Sequence, residues 1–423
     1  MSHFLYLVRL ASKSAWNRRF TLFLIVFSIC LSTILLLGIE RMRVQVKEGF
    51  MQSVSGVDLI VGARGNNVQL VLYTVFRMGG ATANMGYESA RRLEENPMVA
   101  WTIPVSLGDS HRGFPVLATN ENYFGHFRYG GGQALQFASG KAFSDVFDVV
   151  IGDEVARRLG YAVGSPVVLS HGSGGMRLAE HADKPFVVTG ILKRTGTPVD
   201  RTLHIGLDGF EAIHLGWEGG TPVRGLKIAP EHVKKFNLVP KSITAVMVGL
   251  HKRSQVFALQ RELLDDREEV LMGVLPGVAL DELWNMVNVA ERALLAVSFL
   301  VAVAGLAGLA SSILAGLGER RRELAILRSV GASPAEVVLL LLFEGMALLF
   351  AGMVAGVVSL SLIFAFAAPV LEKRWGISLS AGLPGAGEWA LLGGIFAVGL
   401  LASLIPAIRA YRMSLSDGLS AGT

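Results

Sequence analysis

Four long blocks of apolar residues divide the sequence, one near the N-terminus and three in the last third. The first block, residues 20–39, has no charged residue. At about 1.5 Å rise per residue, such a run covers the roughly 30 Å hydrocarbon core of a bilayer. The later blocks, residues 293–317, 337–371 and 389–408, are also longer than a soluble core helix requires. The pattern predicts four transmembrane helices.

A cleavable signal peptide is the competing interpretation of the first block. Its apolar run is longer than a usual signal-peptide core, and no small-x-small cleavage motif follows before Glu40, Arg41 and Arg43. The pattern therefore favours an uncleaved membrane anchor.

The segment between the first and second blocks, residues 40–289, has the pattern of a globular domain. Short apolar runs typical of strands, such as residues 99–105 and 186–192, alternate with helical patterns at 87–95, 153–159 and from Ser254 to about residue 268. Alternation of this kind predicts an α+β domain. The fold class expected is an α-helical membrane protein with a large α+β extracytoplasmic domain between helices 1 and 2.

Helical periodicity continues beyond the membrane blocks and predicts two stalk helices at the base of this domain. Residues 280–317 contain no proline, so they can form one rod of roughly 55 Å. The apolar positions at helical spacing are Met42, Val46, Phe50, Leu280, Leu283, Val287 and Ala290. The pattern does not decide whether these seams only stabilise the base or also transmit movement.

Composition and charge agree with a membrane protein and set its orientation. Hydrophobic residues make up 52% of the chain and charged residues 17%, with a formal net charge of +5. The basic clusters flank apolar blocks, which favours membrane orientation over nucleic-acid binding. They place residues 1–19 (an amphipathic surface helix), 318–336 and 409–423 in the cytoplasm, and the loop 372–388 outside. Both termini are then cytoplasmic. The single cysteine, Cys30, excludes an internal disulfide.

Motifs of ATP hydrolysis and hydrolase chemistry are absent from the sequence. It contains no G-x-x-x-x-G-K-[ST], no H-E-x-x-H and no G-x-S-x-G. We therefore expect no catalytic residue, no cofactor on this chain and no ATPase activity of its own.

Eight of the nine histidines lie in the predicted extracytoplasmic domain, and they are the weak candidates for a metal site. The spacing of His171, His181, His204 and His214 fits no known ligand pattern. The expectation is that these are ordinary surface or packing histidines and that no metal is bound. A site assembled in three dimensions stays open as the alternative.

A carboxylate within the third apolar block is the other polar candidate. Glu344 lies seven residues into that block, where a charge is costly unless it faces protein or water. A structural hydrogen bond near the cytoplasmic interface is the favoured interpretation, and a proton or ion site is the alternative.

The segment GLGERRRELAILRSVGAS, residues 316–333, resembles the loop after the second transmembrane helix of FtsX/MacB-type permeases, the type VII ABC transporters. In that family the loop forms the coupling helix that docks on the ATP-binding subunit. The match implies this role for Glu319, Arg320, Glu323, Leu324, Leu327, Arg328, Gly331 and Ala332. Leu324, Leu327 and Val330 also form an apolar stripe beside charged residues, which suits a short helix in a partner's groove.

The resemblance implies a bacterial inner-membrane permease that hydrolyses no ATP itself. Its partners would be a dimer of cytoplasmic ABC ATPases, which carry the ATP and Mg, membrane lipid, and a periplasmic or lipoprotein partner, with no nucleic acid. Gly305, Gly308, Gly352 and Gly356 present small-residue surfaces that suit packing of a second permease copy or packing within one chain.

The function implied by the resemblance is mechanotransmission. ATP hydrolysis on the partner would move the extracytoplasmic domain, which would act on a lipoprotein, lipid, peptide, toxic compound or partner protein. The alternatives are a metal- or ligand-sensing membrane scaffold and an ion-coupled transporter that uses Glu344. Four spans without an inverted repeat argue against the last.

Overall fold

The computed structural model describes residues 19–80, 83–172, 179–218, 221–222, 228–319, 333–375, 382 and 384–412. The chain divides into two compact units. We call Met1–Val46 with Asn288–Thr423 the helical unit, and Lys47–Val287 the sheet unit. The predicted N-terminal amphipathic helix, most of the predicted coupling loop and the C-terminal tail lie outside the described residues.

The α-helices of the described residues are α1 (Arg19–Gln52), α2 (Asn67–Phe76), α3 (Tyr87–Glu94), α4 (Asn122–His126), α5 (Asp153–Leu159), α6 (Leu207–His214), α7 (Pro230–Val233), α8 (Val256–Leu264), α9 (Pro276–Glu319), α10 (Pro334–Trp375) and α11 (Ala386–Arg412). Short 3-10 turns cover Pro198–Arg201 and Arg253–Gln255.

The strands are β1 (Leu59–Ala63), β2 (Met85–Gly86), β3 (Val99–His111), β4 (Phe114–Thr119), β5 (Arg128–Tyr129), β6 (Gln133–Ala134), β7 (Phe137–Gly140), β8 (Asp148–Ile151), β9 (Pro166–Val167), β10 (Ser170–His171), β11 (Ala179–Glu180), β12 (Phe186–Leu192), β13 (Leu203–Gly206), β14 (Trp217–Glu218), β15 (Thr221–Pro222), β16 (Ser242–Ile243), β17 (Ala245–Leu250) and β18 (Leu271–Val274).

Four helices, α1, α9, α10 and α11, are long and apolar enough to cross a membrane. The prediction of four long apolar helices, with one α+β domain between the first and the second along the chain, is confirmed. Three of these helices are much longer than a bilayer requires, with 34 residues in α1, 44 in α9 and 42 in α10. Pro276 stands at the first position of α9, where its missing N–H costs no helical hydrogen bond, so α9 continues uninterrupted. Helices α1 and α9 each contribute residues to both units.

Glycines bring the helices of the helical unit into close contact within one chain. A Cβ built on Gly352 would lie 2.7 Å from the Ile29 side chain, and one on Gly356 would lie 2.6 Å from the Thr33 side chain. Gly305 lies against the Ser28 and Ser32 hydroxyls in the same way. The glycines that the sequence offered as a dimer surface are therefore largely used for packing of α10 and α9 against α1.

Ion pairs join three helices of the helical unit. Arg43 near the end of α1 contacts Glu291 of α9, with Nε to Oε1 at 3.1 Å, and Arg41 contacts Glu388 at the start of α11. The C-terminal part of α1, the N-terminal end of α11 and the Glu291 region of α9 therefore lie together, as four antiparallel spans require.

A mixed twelve-stranded sheet forms the centre of the sheet unit. Its main order is β18-β1-β17-β3-β4-β13-β8-β12-β7, with β10, β11 and β9 paired outside this path. Strand β3 pairs with β17 through its first half and with β4 through its second half. Pairs β4–β13 and β8–β12 are parallel, and the other pairs are antiparallel.

Both faces of this sheet are covered, because successive strand residues point to opposite faces. In β17, Val246 and Val248 join one hydrophobic cluster and Ala245 and Met247 join the other. Burial on both faces explains why the central strands read as continuous apolar runs. The helix predicted from Ser254 to about residue 268 is shorter: it begins at Val256, after the 3-10 turn Arg253–Gln255, and ends at Leu264.

Candidate metal centre

Four potential metal ligands meet in the sheet unit: Asp109, His171, His181 and His214. One ring nitrogen from each histidine and one Asp109 oxygen all lie within 4.8 Å of one another. They come from separate segments of the chain, so their proximity is a product of the fold.

A β-bulge places Asp109 in this group. Leu107 pairs with Leu117 and Ser110 with Pro115, so β3 has one more residue than β4 across this stretch. Bulges of this kind re-aim side chains at functional sites. Asp109 is 2% exposed although it is a carboxylate in a sheet.

The hairpin of β10 and β11 supplies two of the histidines. His171 pairs with Asp109 in the β10–β3 ladder. His181 directly follows β11, and its backbone N–H donates to the Leu169 carbonyl at 2.9 Å. The strand ladder and this bond hold both histidines beside β3.

Helix α6 supplies His214 at its last residue. The His214 Nδ1–H donates to the carbonyl of Phe210 at 2.7 Å, one turn earlier in the helix. With its proton on Nδ1, the ring directs the Nε2 lone pair away from the helix, where Nε2 lies 3.3 Å from His171 Nδ1 and 3.6 Å from Asp109 Oδ2.

Lys184 stabilises the end of this helix. It is 1% exposed, and its Nζ donates to the Leu215 carbonyl at 3.2 Å and lies 3.5 Å from the Ile213 carbonyl. Burial lowers the pKa of the Lys184 ammonium. The two carbonyls flank His214, so Lys184 holds the backbone that carries it.

The pKa values of His171 and His181 are shifted in opposite directions. The hydrogen bond to Asp109, at 3.0 Å between Nδ1 and Oδ1, raises the pKa of His171. Burial lowers the pKa of His181 to about 4, and the Trp217 ring lies 4.4 Å from the His181 ring between centroids. At neutral pH His181 is therefore an uncharged imidazole, the form that coordinates metal ions.

His204, the fourth histidine named from the sequence, lies elsewhere. Its ring packs against Tyr123 at 5.0 Å and Phe124 at 6.2 Å between centroids, and Nδ1 donates to the Val150 carbonyl at 3.3 Å. Burial lowers the pKa of His204 to about 3. His204 is a packing residue of the core.

The predicted coupling residues lie at the edge of the described structure. Glu319 ends α9, and Arg320 to Ala332 lie outside the described residues. Ser333, which closes the motif, begins α10 through a capping box: Glu336 N donates to the Ser333 hydroxyl at 3.3 Å and Ser333 N donates to Glu336 Oε2 at 2.7 Å. Glu344 is half-buried in α10 and has an interaction partner.

The stalk residues occupy different environments. Leu280 is buried and Leu283 packs against the same cluster in the sheet unit, whereas Met42 is 46% exposed. Phe50 stacks on Phe76 with centroids 4.5 Å apart and meets Trp284 edge-on at 6.0 Å. Val46 is half-buried, and the side chains of Val287 and Ala290 lie outside the described part of the chain.

Sequence reasoning missed Asp109. No spacing signal marks it, because it follows β-type residues and its partners are far away along the chain. Only the strand pairing of β3 with β10 identifies it.

Comparisons with known proteins identify relatives of both parts of the chain. The MacB-like periplasmic core domain family matches residues 20–263, more than half of the chain, and the FtsX-like permease C-terminal family matches residues 295–415. No curated protein matches significantly.

Two solved structures are similar to part of this chain. The periplasmic region of MacB from Actinobacillus actinomycetemcomitans is 11% identical, with a TM-score of 0.33, over 56% of this chain and 96% of that one. The extracellular domain of the ABC-type transporter YknZ from Gram-positive bacteria is 12% identical, with a TM-score of 0.29, over 51% of this chain and 98% of that one.

Proposed function

This chain belongs to the FtsX/MacB-type permease family, the membrane subunits of ABC transporters, and on that premise we propose that it works by mechanotransmission. A separate cytoplasmic ATPase binds and hydrolyses ATP with Mg. The permease converts the resulting movement at its cytoplasmic side into movement of the sheet unit outside the membrane. The chain itself carries out no catalysis.

The observation that carries this proposal is the continuity of α1 and α9. Each is one uninterrupted helix, and each contributes residues to the helical unit and to the sheet unit. Hydrogen-bonded helices are stiff over this length, so a displacement of one end moves the other. The Glu319 end of α9 is also the start of the segment that resembles the ATPase-docking loop.

The proposed arrangement in the membrane follows from the basic residues. Both termini and the segment 318–336 lie in the cytoplasm, and the sheet unit lies outside the bacterial inner membrane. Two copies of the permease bind two ATPase subunits. The sheet units act on a lipoprotein, lipid, peptide, toxic compound or partner protein that need not cross the bilayer.

Charge substitutions test the docking step. Leu324→Asp or Leu327→Asp places a carboxylate in the proposed apolar contact, for which a loss of about 2–4 kcal/mol is typical of a buried hot spot. Ala325→Asp is the matched control, because at about 100° per residue it lies on the opposite side of the same helix. We expect co-purification of the ATPase to fail for the two leucine variants and to persist for the control. Normal ATPase binding by Leu324→Asp and Leu327→Asp would remove the coupling role of this segment.

Crosslinking tests the transmission step. Arg43 of α1 and Glu291 of α9 face each other at 3.1 Å, so cysteines at these two positions, in a Cys30→Ser background, suit a short bifunctional crosslinker. The crosslinked chain should still bind the ATPase but should lose the ATP-dependent change in hydrogen exchange over residues 47–287. The two single-cysteine variants treated with the same reagent should keep it. An unchanged response after crosslinking would contradict relative movement of α1 and α9.

A further inference from the structure

We propose that the sheet unit binds one divalent transition-metal ion of the zinc class through Asp109, His171, His181 and His214. Three imidazole nitrogens and one carboxylate oxygen are a ligand set that zinc accepts in proteins. The proposal goes beyond the transport function and does not depend on the ATPase.

The distances within the group suit a small tetrahedral ion. In a tetrahedral site with bonds of about 2.0–2.1 Å, neighbouring ligand atoms are about 3.3 Å apart. Here His171 Nδ1 lies 3.0 Å from Asp109 Oδ1 and 3.3 Å from His214 Nε2, and all four ligand atoms fall within 4.8 Å of one another.

Hydrogen bonds within the group leave two buried ligands unsatisfied. His181 is 0% exposed, and neither of its ring nitrogens has a hydrogen-bond partner among the described residues. The buried Oδ2 of Asp109 also has none within the described part of the chain. Buried polar groups are normally paired, and an unpaired one costs about 1–3 kcal/mol. A bound ion would take one ring nitrogen of His181 and the Oδ2 of Asp109 at once, which a purely structural histidine cluster does not.

The second ring nitrogen of His214 makes the kind of hydrogen bond that is found in metal sites. A metal-bound histidine usually donates its other ring N–H to a carbonyl or carboxylate, which sets the tautomer and the ring orientation. The His214 Nδ1–H does so to the Phe210 carbonyl, and Lys184 holds the neighbouring backbone. The ligand atom therefore stays aimed at the group in the absence of an ion.

One side of the group is open to solvent. The His171 and His214 side chains are 29% and 22% exposed, whereas that of Asp109 is 0% exposed. An ion can therefore enter past His171 and His214 and be held against Asp109 and His181. Four protein ligands fill a tetrahedral shell, which is typical of structural or sensing sites and not of catalytic ones.

The types of ligand atom indicate which metal ions should bind. Imidazole suits zinc and its transition-metal neighbours, whereas Mg²⁺ and Ca²⁺ prefer shells made of oxygen ligands. We expect binding of Zn²⁺, and of Co²⁺ as its spectroscopic substitute, and no comparable binding of Mg²⁺ or Ca²⁺.

A metal titration of the full-length chain tests the proposal. The chain is purified in detergent through a tag that contains no histidine, stripped with a chelator, and titrated with Zn²⁺ against a chromophoric competitor. We expect one tightly bound ion per chain, a higher unfolding temperature with Zn²⁺, and the visible absorption of tetrahedral Co²⁺. His181→Ala should weaken binding by about 100-fold or more, since even second-shell changes weaken metal sites 10–100-fold.

Two further variants test whether the ion binds through the proposed ligands. Asp109→Asn keeps the shape of the side chain and removes its charge. His171→Ala changes a side chain that is 29% exposed, so we expect it to disturb folding least. Both should weaken binding. His232→Ala, at an exposed histidine of α7, is the matched control and should bind as the unmodified chain does. Circular dichroism checks folding, and His171→Ala decides the outcome if a buried variant unfolds.

The proposal is overturned if the chain binds no Zn²⁺, if His171→Ala binds it with unchanged affinity, or if Mg²⁺ and Ca²⁺ compete equally. None of these measurements needs ATP or the ATPase. Their failure would therefore leave the proposed transport function unaffected, and failure of ATPase docking would leave the metal site unaffected.

Discussion

The guanidinium of Arg41 donates to both carboxylate oxygens of Glu388, with Nε to Oε1 at 2.8 Å and Nη2 to Oε2 at 2.6 Å. The two side chains are only 5% and 8% exposed. The Arg41 guanidinium also lies 5.6 Å from the centroid of the Phe364 ring. This pair joins α1 to the start of α11, two segments from opposite ends of the chain.

Removing the charge of one partner, Arg41 or Glu388, should destabilise the helical unit strongly. Arg41→Met or Glu388→Met leaves one buried charge without a partner, a change that typically costs about 3–5 kcal/mol. The double variant removes both charges and should recover most of the loss. Unfolding of the four chains in detergent forms a double-mutant cycle. Additive losses would show that the two residues do not stabilise each other.

Gly356 should tolerate no side chain. A Cβ there would lie 2.6 Å from the Thr33 side chain, so Gly356→Ala forces α10 and α1 apart and should cost about 1–3 kcal/mol. Gly308→Ala is the control, since no described atom lies within 4 Å of its Cβ position. It should be neutral or stabilise the helix by up to about 1 kcal/mol. Thermal unfolding of both variants measures the difference.

His204 should make the sheet unit sensitive to acid. Its pKa is lowered from 6.5 to about 3 in the folded chain, so between these values the unfolded chain binds a proton that the folded chain does not. His204 has no such effect above pH 6.5; between pH 6.5 and about pH 3 it lowers the free energy of unfolding by about 1.4 kcal/mol for each pH unit.

The comparison of His204→Leu with the unmodified chain isolates this effect. Denaturant unfolding between pH 7 and pH 4 should show a shallower loss of stability for His204→Leu, whereas His232→Ala should keep the original slope. Parallel curves for His204→Leu and the unmodified chain would show that His204 is protonated equally in both states.

Lys184 should hold the C-terminal end of α6. In Lys184→Met the buried carbonyl of Ile213 and the partly buried carbonyl of Leu215 lose their donor, and an unsatisfied buried acceptor costs about 1–3 kcal/mol. Hydrogen exchange should accelerate over residues 211–215, and the affinity of the proposed metal site should fall because His214 is less well positioned. Lys184→Arg, which keeps donors, should reduce both effects. Unchanged exchange in Lys184→Met would argue against this role.

Much of the architecture follows from the sequence because it rests on properties that are local along the chain. An apolar run such as residues 20–39 can satisfy its backbone in lipid only as a helix, so length and composition predict a span. The absence of proline from residues 280–317 predicts the long α9, and the motif in residues 316–333 predicts the family. Each of these signals lies within one continuous segment.

Only the tertiary structure decides which distant residues meet. Glycine spacing in Gly352-x-x-x-Gly356 predicts close packing but not that Ile29 and Thr33 of the same chain fill the groove. The metal-ligand candidates named from the sequence likewise included His204, which is buried among aromatic rings. They did not include Asp109, which a β-bulge turns toward His171. Metal-ligand geometry depends on distances between strands and helices that are far apart along the chain. Such distances are set by sheet register and helix packing, and no local pattern in the sequence encodes them.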